Sequence, residues 1–375
     1  MGFAAAFAVM ALGLRAPPHR LAPRAETRAR LRLSAPLAPT DQIAAVNRES
    51  INWEEQWYPV ASTRVLHKKE PNALVLLDHS LVAWNSQDGW RVAEDRCPHR
   101  GAPLSYGRLE SNATLTCSYH GWQFAPTGKV SYQPTVPKDC AACLRVHPSR
   151  VCEHGLLWVW PKPCPAGSEA ERVALETPLP NEHLPPASAA VTDWTLNRVP
   201  VSWAALLENT LDDAHGVHAH HGLAFIDRSL ARPADSVKSG ESGEGERFVT
   251  WCNVSGKINP KDAHLSSLPL REWTNSYRFM APHRTTVRFG PTYRAEGFIV
   301  PAAYGETLMV SAFFLTDEAP GLGARLYKHA QVANPLFAAI MHRMGAGIVC
   351  QDAVLAEADG IDELRGERWT GERAR

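Results

Sequence analysis

Between residues 53 and 161 the chain sets short apolar runs close together, with turn residues between them. The runs at 73–77, 80–84 and 155–160 have strand length and are rich in Val, Leu and Trp, while Asp88-Gly89 and Thr127-Gly128 are turn signals. This pattern predicts a small antiparallel all-β domain over 50–161. Seven prolines fall between 161 and 186, and 162–190 reads as a linker wrapping between two domains. Helical spacing returns at 203–223. Strand-like runs follow at 247–254, 274–280, 285–289, 297–300 and 308–315, and the Ser-, Gly- and Glu-rich stretch 235–247 is expected to be a mobile loop. From 323 to about 359 the pattern is helical again, interrupted by Pro335, Gly345 and Gly347. A helix, several antiparallel strands and a closing helix predict an α+β domain over 191–375, so the chain as a whole is α+β. No internal repeat is visible.

Composition narrows the class. A chain of 375 residues suits two domains, and a hydrophobic fraction of 45% supports ordinary globular cores. Lys+Arg and Asp+Glu balance at 39 each, so nothing points to nucleic acid. The first forty residues stand apart. Residues 1–14 form an apolar run too short to span a bilayer, and 15–40 carry six arginines, no lysine and Glu26 as the single acid. Residues 1–40 therefore read as a targeting leader, either a transit peptide or a signal-plus-transit leader for a plastid. A mitochondrial leader and a plain N-terminal tail are the alternatives. No later stretch reaches about eighteen uninterrupted apolar residues, and no transmembrane helix is predicted.

Chemistry enters with two short segments, Cys97-Pro98-His99-Arg100-Gly101 and Cys117-Ser118-Tyr119-His120-Gly121-Trp122. The spacing is C-x-H, seventeen residues, then C-x-x-H. Two thiolates suit one iron of a [2Fe–2S] cluster and two imidazoles suit the other, which is the ligand set of a Rieske centre. Neutral imidazoles lower the negative charge on such a cluster and raise its potential. A zinc knuckle is the competing reading, although zinc sites favour C-x-x-C and H-x(3–5)-H. Rieske proteins of respiratory and photosynthetic complexes join their two loops by a disulfide. Here Ala102 and Tyr119 occupy those positions, which argues against quinol oxidation. Ser118 and Tyr119 are candidate hydrogen-bond donors to sulfur or plain loop residues, and Trp122 and Phe124 are expected to pack the hairpin that follows. Cys140 and Cys143 form a C-x-x-C that reads as packing or as a redox pair.

A second constellation lies in the helix predicted from 203, where Asn209, Asp212, His215 and His220 make N-x-x-D-x-x-H-x(4)-H. Two imidazoles and one carboxylate on one face of an iron leave the other positions open for oxygen and substrate. On an ideal helix His215 and His220 lie about 140° apart. Sharing a metal then requires the helix to distort or end between them, which Gly216 makes easier. His218 and His221 are rivals on spacing. The third ligand must be a distant acid, and Asp352 is the choice because its apolar helical setting would make an unpaired carboxylate costly. Glu357 and Asp359 are runners-up.

Over roughly residues 50–360 the chain resembles the Rieske non-haem iron oxygenases, most of all the plastid branch of pheophorbide a oxygenase, Tic55 and chlorophyllide a oxygenase. Besides the two Cys/His segments, the resemblance rests on Gln56-Trp57-Tyr58-Pro59-Val60, Asp95-Arg96, Ala102-Pro103-Leu104-Ser105, Gly107-Arg108 and the stretch 212–222. It implies that Cys97, His99, Cys117 and His120 bind the cluster and that His215, His220 and Asp352 bind a mononuclear non-haem Fe(II). It gives Asp212 the task of bridging His120 of a neighbouring subunit to His215, hence a ring-shaped homotrimer. It further implies a helix-grip catalytic domain, electrons from a ferredoxin or reductase, O₂, an apolar ring substrate of the chlorophyll-derived tetrapyrrole type, and contact with a membrane surface. A sterol or other apolar-ring oxygenase and a Tic55-like electron-transfer component are the alternatives. Phe225, Phe279, Phe289 and Phe298 are candidates to line a pocket or simply to fill the core. The plastid branch usually continues into a C-terminal C-x-x-C and hydrophobic anchoring helices, which do not occur before Arg375.

Overall fold

The computed structural model describes residues 52–134, 142–181, 184–190, 192–211, 236–241, 247–256, 273–289 and 293–316. The first part is built from short strands: β1 (Tyr58–Ser62), β2 (Asn72–Leu76), β3 (His79–Ser86), β4 (Gly89–Glu94), β5 (Arg108–Leu109), β6 (Leu115–Thr116), β7 (Gln123–Phe124), β8 (Val130–Tyr132), β9 (Val146–His147), β10 (Ser149–Val151) and β11 (Leu156–Val159). They pair in the orders β1-β11-β10, β2-β3-β4-β9 and β5-β6-β7-β8, all antiparallel. The two turn signals read from the sequence lie between β3 and β4 and between β7 and β8. The run at 81–84 is continuously apolar because both faces of β3 are covered there. Leu81 and Ala83 enter a core shared with the second part of the chain, whereas Val82 and Trp84 enter the core that holds Cys97 and Cys117. A strand buried on both faces has no reason to alternate.

The proline-rich stretch contains helix α1 (Glu169–Glu176), whose N-terminus is capped by Ser168 Oγ accepting from the Glu171 N–H. Beyond it come β12 (Thr195–Val199), helix α2 (Trp203–Leu211), β13 (Ser236–Glu241), β14 (Arg247–Gly256), β15 (Trp273–Met280), β16 (Arg284–Phe289), β17 (Tyr293–Ala303) and β18 (Glu306–Leu315). These strands form one antiparallel sheet in the order β12-β18-β17-β16-β15-β14-β13. The expected helix from 203 is present over the nine residues of α2. Its continuation, the helix expected from 323, the leader at 1–40 and Cys140 lie outside the described residues.

The stretch expected to be a mobile loop is in part a strand. β13 pairs along its whole length with β14, from Ser236↔Cys252 to Glu241↔Arg247, and forms the edge of the sheet. An edge strand is held by backbone hydrogen bonds that are indifferent to side-chain polarity, so a Ser- and Glu-rich composition conceals it.

The sheet separates two cores by simple alternation. Phe298, Val300, Ala302, Leu308 and Val310 join Trp57, Tyr58, Leu157 and Trp158 of the first part in one continuous cluster. Ile299 and Phe279 instead meet Ala205, Leu206 and Leu207 of α2. The tight turn between β2 and β3 adds backbone clamps, with the Leu77 and Asp78 N–H groups donating to the Pro301 and Ala302 carbonyls at 3.0 and 2.9 Å. Glu296 is fully buried on β17. Its Oε2 accepts from Arg284 Nε (3.3 Å), Arg284 Nη2 (3.2 Å) and Thr286 Oγ1 (2.9 Å), and its Oε1 forms an ion pair with Arg294. Arg284 Nη1 also donates to the Pro180 carbonyl at 3.4 Å, which ties the proline-rich segment to the sheet. Among the described residues no helix is long and apolar enough to cross a membrane.

Candidate functional site

The two Cys/His segments share one backbone frame. The Cys97 N–H donates to the Ala102 carbonyl (2.8 Å) and the Gly101 N–H to the Cys97 carbonyl (2.8 Å). In the second loop the Cys117 N–H donates to the Trp122 carbonyl (2.8 Å) and the Gly121 N–H to the Cys117 carbonyl (3.0 Å). Each loop is therefore a turn closed by its cysteine and the residue five positions on. Gly101 and Gly121 adopt φ of 74° and 71°, a left-handed conformation that costs an L side chain energy. This explains why glycine falls at the same distance from the cysteine in both loops although the histidine does not. Asp95 fixes the entry to the first loop, accepting from the Ser105 N–H (2.6 Å) and the Ser105 hydroxyl (2.5 Å).

This frame brings Cys97, His99, Cys117 and His120 together. Both cysteines are buried, and the Cys117 thiol acts directly on that of Cys97. The imidazoles of His99 and His120 meet edge-on with centroids 4.7 Å apart. His99 lies flat on Trp122, centroids 4.8 Å apart and planes within 6°, and the exposed Tyr119 ring lies 3.9 Å from that of His120. Burial pushes the Cys97 thiol up to about 11; the His99 backbone N–H pulls the other way, and the Cys117 thiol adds to the rise. A buried neutral thiol such as that of Cys97 becomes a thiolate when a cation compensates it. Desolvation, with the positive charges of His120 and Arg100, holds His99 below the ordinary histidine value. Its ring is thus neutral and carries a lone pair.

His99 Nδ1 is buried and has no hydrogen-bond partner, a state that is costly for a nitrogen unless a metal completes it. Among the described residues no three His, Cys, Asp or Glu side chains close on a single ion position. Two buried sulfurs, two adjacent imidazoles and an orphaned buried nitrogen fit a [2Fe–2S] cluster with two ligands for each iron.

Asp212, His215, His220 and Asp352, together with His218, His221, Glu357 and Asp359, lie outside the described residues. The structure does describe α2, which ends at Leu211, the residue before Asp212 in sequence. Ser202 caps it, its Oγ accepting from the Ala205 N–H (3.2 Å), and Trp203 at its start packs edge-on against Trp53 (5.1 Å) and Phe279 (6.3 Å). Near its end Asn209 Oδ1 is buried without a hydrogen-bond partner. Of the candidate pocket aromatics, Phe298 is core between Trp158 and Trp194, and Phe279 is core against Trp203. Phe225 and the Phe289 side chain lie outside the described residues. Sequence reasoning missed the Asp95–Ser105 bond and the stacking of Trp122 on His99. The position of Trp122 directly after Gly121 was the only local signal for the stacking.

A family profile of the Rieske [2Fe-2S] domain matches residues 56–148. The chain is 33% identical over 267 residues to pheophorbide a oxygenase of Oryza sativa subsp. japonica, covering 63% of this chain and 50% of that protein. It is 32% identical over 282 residues to TIC 55 of Pisum sativum, covering 65% and 47%. Flavonoid 8-hydroxylase 2 of Ocimum basilicum aligns at 26% identity over 311 residues, covering 80% and 57%. The chain thus spans about half the length of these chloroplast relatives. In three dimensions it matches dicamba monooxygenase with a TM-score of 0.60 at 21% identity, over 81% of this chain and 87% of that one. The terminal oxygenase of carbazole 1,9a-dioxygenase from Nocardioides aromaticivorans matches with a TM-score of 0.61 at 17% identity, over 86% and 91%. These structures establish a shared fold. Residues 56–148 are a Rieske [2Fe–2S] domain, and over a wider stretch the chain is similar to pheophorbide a oxygenase, TIC 55 and chlorophyllide a oxygenase.

Proposed function

We propose that this protein is a Rieske-type oxygenase of the plastid, using O₂ and electrons from a ferredoxin or reductase to oxidise an apolar ring substrate of the chlorophyll-derived tetrapyrrole class. The observation that carries this reading is the paired-loop frame with two buried thiols and two touching imidazoles, in a chain whose relatives are named as chloroplast oxygenases. Cys97, His99, Cys117 and His120 would hold the cluster. When bound, a cluster with two thiolate and two imidazole ligands exchanges single electrons at a potential above that of an all-cysteine centre. Buried Cys97, Cys117 and Trp122 keep water from the sulfurs, while the less buried His120 offers an edge to a partner. His215, His220 and Asp352 would hold a mononuclear iron, and Asp212 would join its imidazole ligand to His120 of a neighbouring copy in a homotrimer. A solved complex of oxygenase and ferredoxin in carbazole 1,9a-dioxygenase supports a ferredoxin as donor.

The alignment with flavonoid 8-hydroxylase 2, which extends over 80% of this chain, favours a flavonoid-type ring as the second reading. Incubating purified protein with ferredoxin, its reductase, O₂ and, separately, pheophorbide a, chlorophyllide a and a flavone tests both. A tetrapyrrole product alone supports the first reading, a hydroxylated flavone alone the second, and no product with any of them refutes both. Iron content is the cheaper check: about three irons per chain are expected of an oxygenase and about two of a pure carrier. Asp212→Asn should leave the cluster spectrum intact and nearly abolish turnover; full activity would defeat the bridging role.

A further inference from the structure

We infer that Trp122 is a positioning residue for the cluster, a buried wall that sets the ring plane of His99 and leaves His120 without an equivalent. This rests on the Rieske reading of the site. The two loops have the same backbone frame, with His99 two residues and His120 three residues after its cysteine. Their side-chain surroundings differ more sharply. His99 lies parallel to the indole within 6° at 4.8 Å, the offset-stacked range, and Trp122 is only 2% exposed. His120 has the Tyr119 ring, which is 60% exposed and tilted by 37°.

Trp122 is itself fixed. Its carbonyl closes the second loop by accepting from the Cys117 N–H, and its ring belongs to the core of Leu104, Leu115 and Phe124. A flat, immobile indole therefore prevents rotation of the His99 ring about its Cβ–Cγ bond. The ring is thereby held with its Nδ1 buried and without a protein partner. The same wall excludes water from one side of the centre. A cluster with two thiolate ligands gains a negative charge on reduction, so dry apolar walls hold its potential down and water admitted there raises it.

The test uses the full-length, cluster-loaded protein and three variants: Trp122→Leu, Trp122→Phe, and Phe124→Leu as a control. Phe124 neighbours Trp122 in the same core, with centroids 6.4 Å apart, and makes no ring contact with His99 among the described residues. Midpoint potential and the histidine nitrogen couplings from pulsed EPR of the reduced protein are the readouts. For Trp122→Leu the expected result is a raised potential, a change in one of the two sets of nitrogen couplings, and cluster loss to a chelator about 10-fold faster. Trp122→Phe keeps a smaller stacked ring and should lie between Trp122→Leu and wild type. Phe124→Leu should keep the wild-type potential and couplings. If Trp122→Leu does not retain a cluster, Trp122→Phe and Phe124→Leu carry the comparison. Wild-type potential and couplings in the Trp122 variants overturn the inference, as does an equal shift in Phe124→Leu, which would assign the effect to packing alone. A wild-type protein with no reducible cluster would instead overturn the Rieske reading itself.

Discussion

His283 offers a direct test of how the two parts of the chain are joined. It lies in the turn between β15 and β16, its Nε2–H donates to the Trp57 carbonyl at 2.7 Å, and its ring packs against Tyr58, Trp158 and Phe298 at 4.9, 6.3 and 5.6 Å. Its Nδ1 is buried without a partner. Burial, with the Arg284 charge beside it, pushes the pKa down to about 4 in spite of the bond to Trp57. The unfolded chain takes up this proton near pH ~6.5 and the folded protein does not. Stability is therefore complete above that pH and is lost as the pH falls towards 4. Linkage gives a loss of about 2 kcal/mol between pH ~7.5 and ~5, rising to about 3 kcal/mol below pH ~4. His283→Phe removes the titration and also the donor to Trp57, a cost of about 1 kcal/mol at neutral pH. Urea unfolding followed by tryptophan fluorescence at the two pH values measures both terms. Wild type should lose about 2 kcal/mol more than the variant on acidification. His147, also pushed down to about 4 by burial, is present in both proteins and cancels. Equal acid losses in the two proteins would refute the account.

Three further outcomes follow from particular contacts. Gly121→Ala forces a left-handed alanine at φ 71° and should cost about 1 kcal/mol, read as a lower cluster content per chain in iron and absorbance assays. Glu296→Gln leaves the Arg284 guanidinium buried beside a neutral amide and should lower stability by about 3 kcal/mol in urea melts; a change within error would mean the carboxylate is not what compensates that charge. Phe298→Ala opens a cavity among Trp158, Trp194 and His283 and should cost about 3–5 kcal/mol, whereas a small loss would show that the shared core collapses around it.

The cluster loops were legible in the sequence because everything that makes them is local. Cysteine, histidine and glycine fall within six residues in each loop, and each turn is closed by its own backbone, so motif and geometry are nearly the same information. The strands of the sheet were legible for a similar reason: the runs at 274–280, 285–289 and 308–315 carry enough β-branched and aromatic residues to be read alone, and they correspond to β15, β16 and β18. β13 was not legible, because its partner rather than its composition makes it a strand.

What only the tertiary structure decided is which surfaces meet. The apolar run shows that 81–84 is buried, yet not that alternate residues of β3 serve two different cores. The motif C-x-x-H-G-W names a tryptophan, yet its stacking on a histidine of the other loop joins positions 99 and 122, which no local pattern connects. Likewise Glu296 reads as an ordinary strand acid until Arg284 and Thr286 are folded against it. The sequence by itself determined the two Cys/His loops and the class of fold, because short-range spacing and polarity specify a loop and a strand. The walls around those loops and the shared core belong to long-range packing, in which residues more than a hundred positions apart exclude water together.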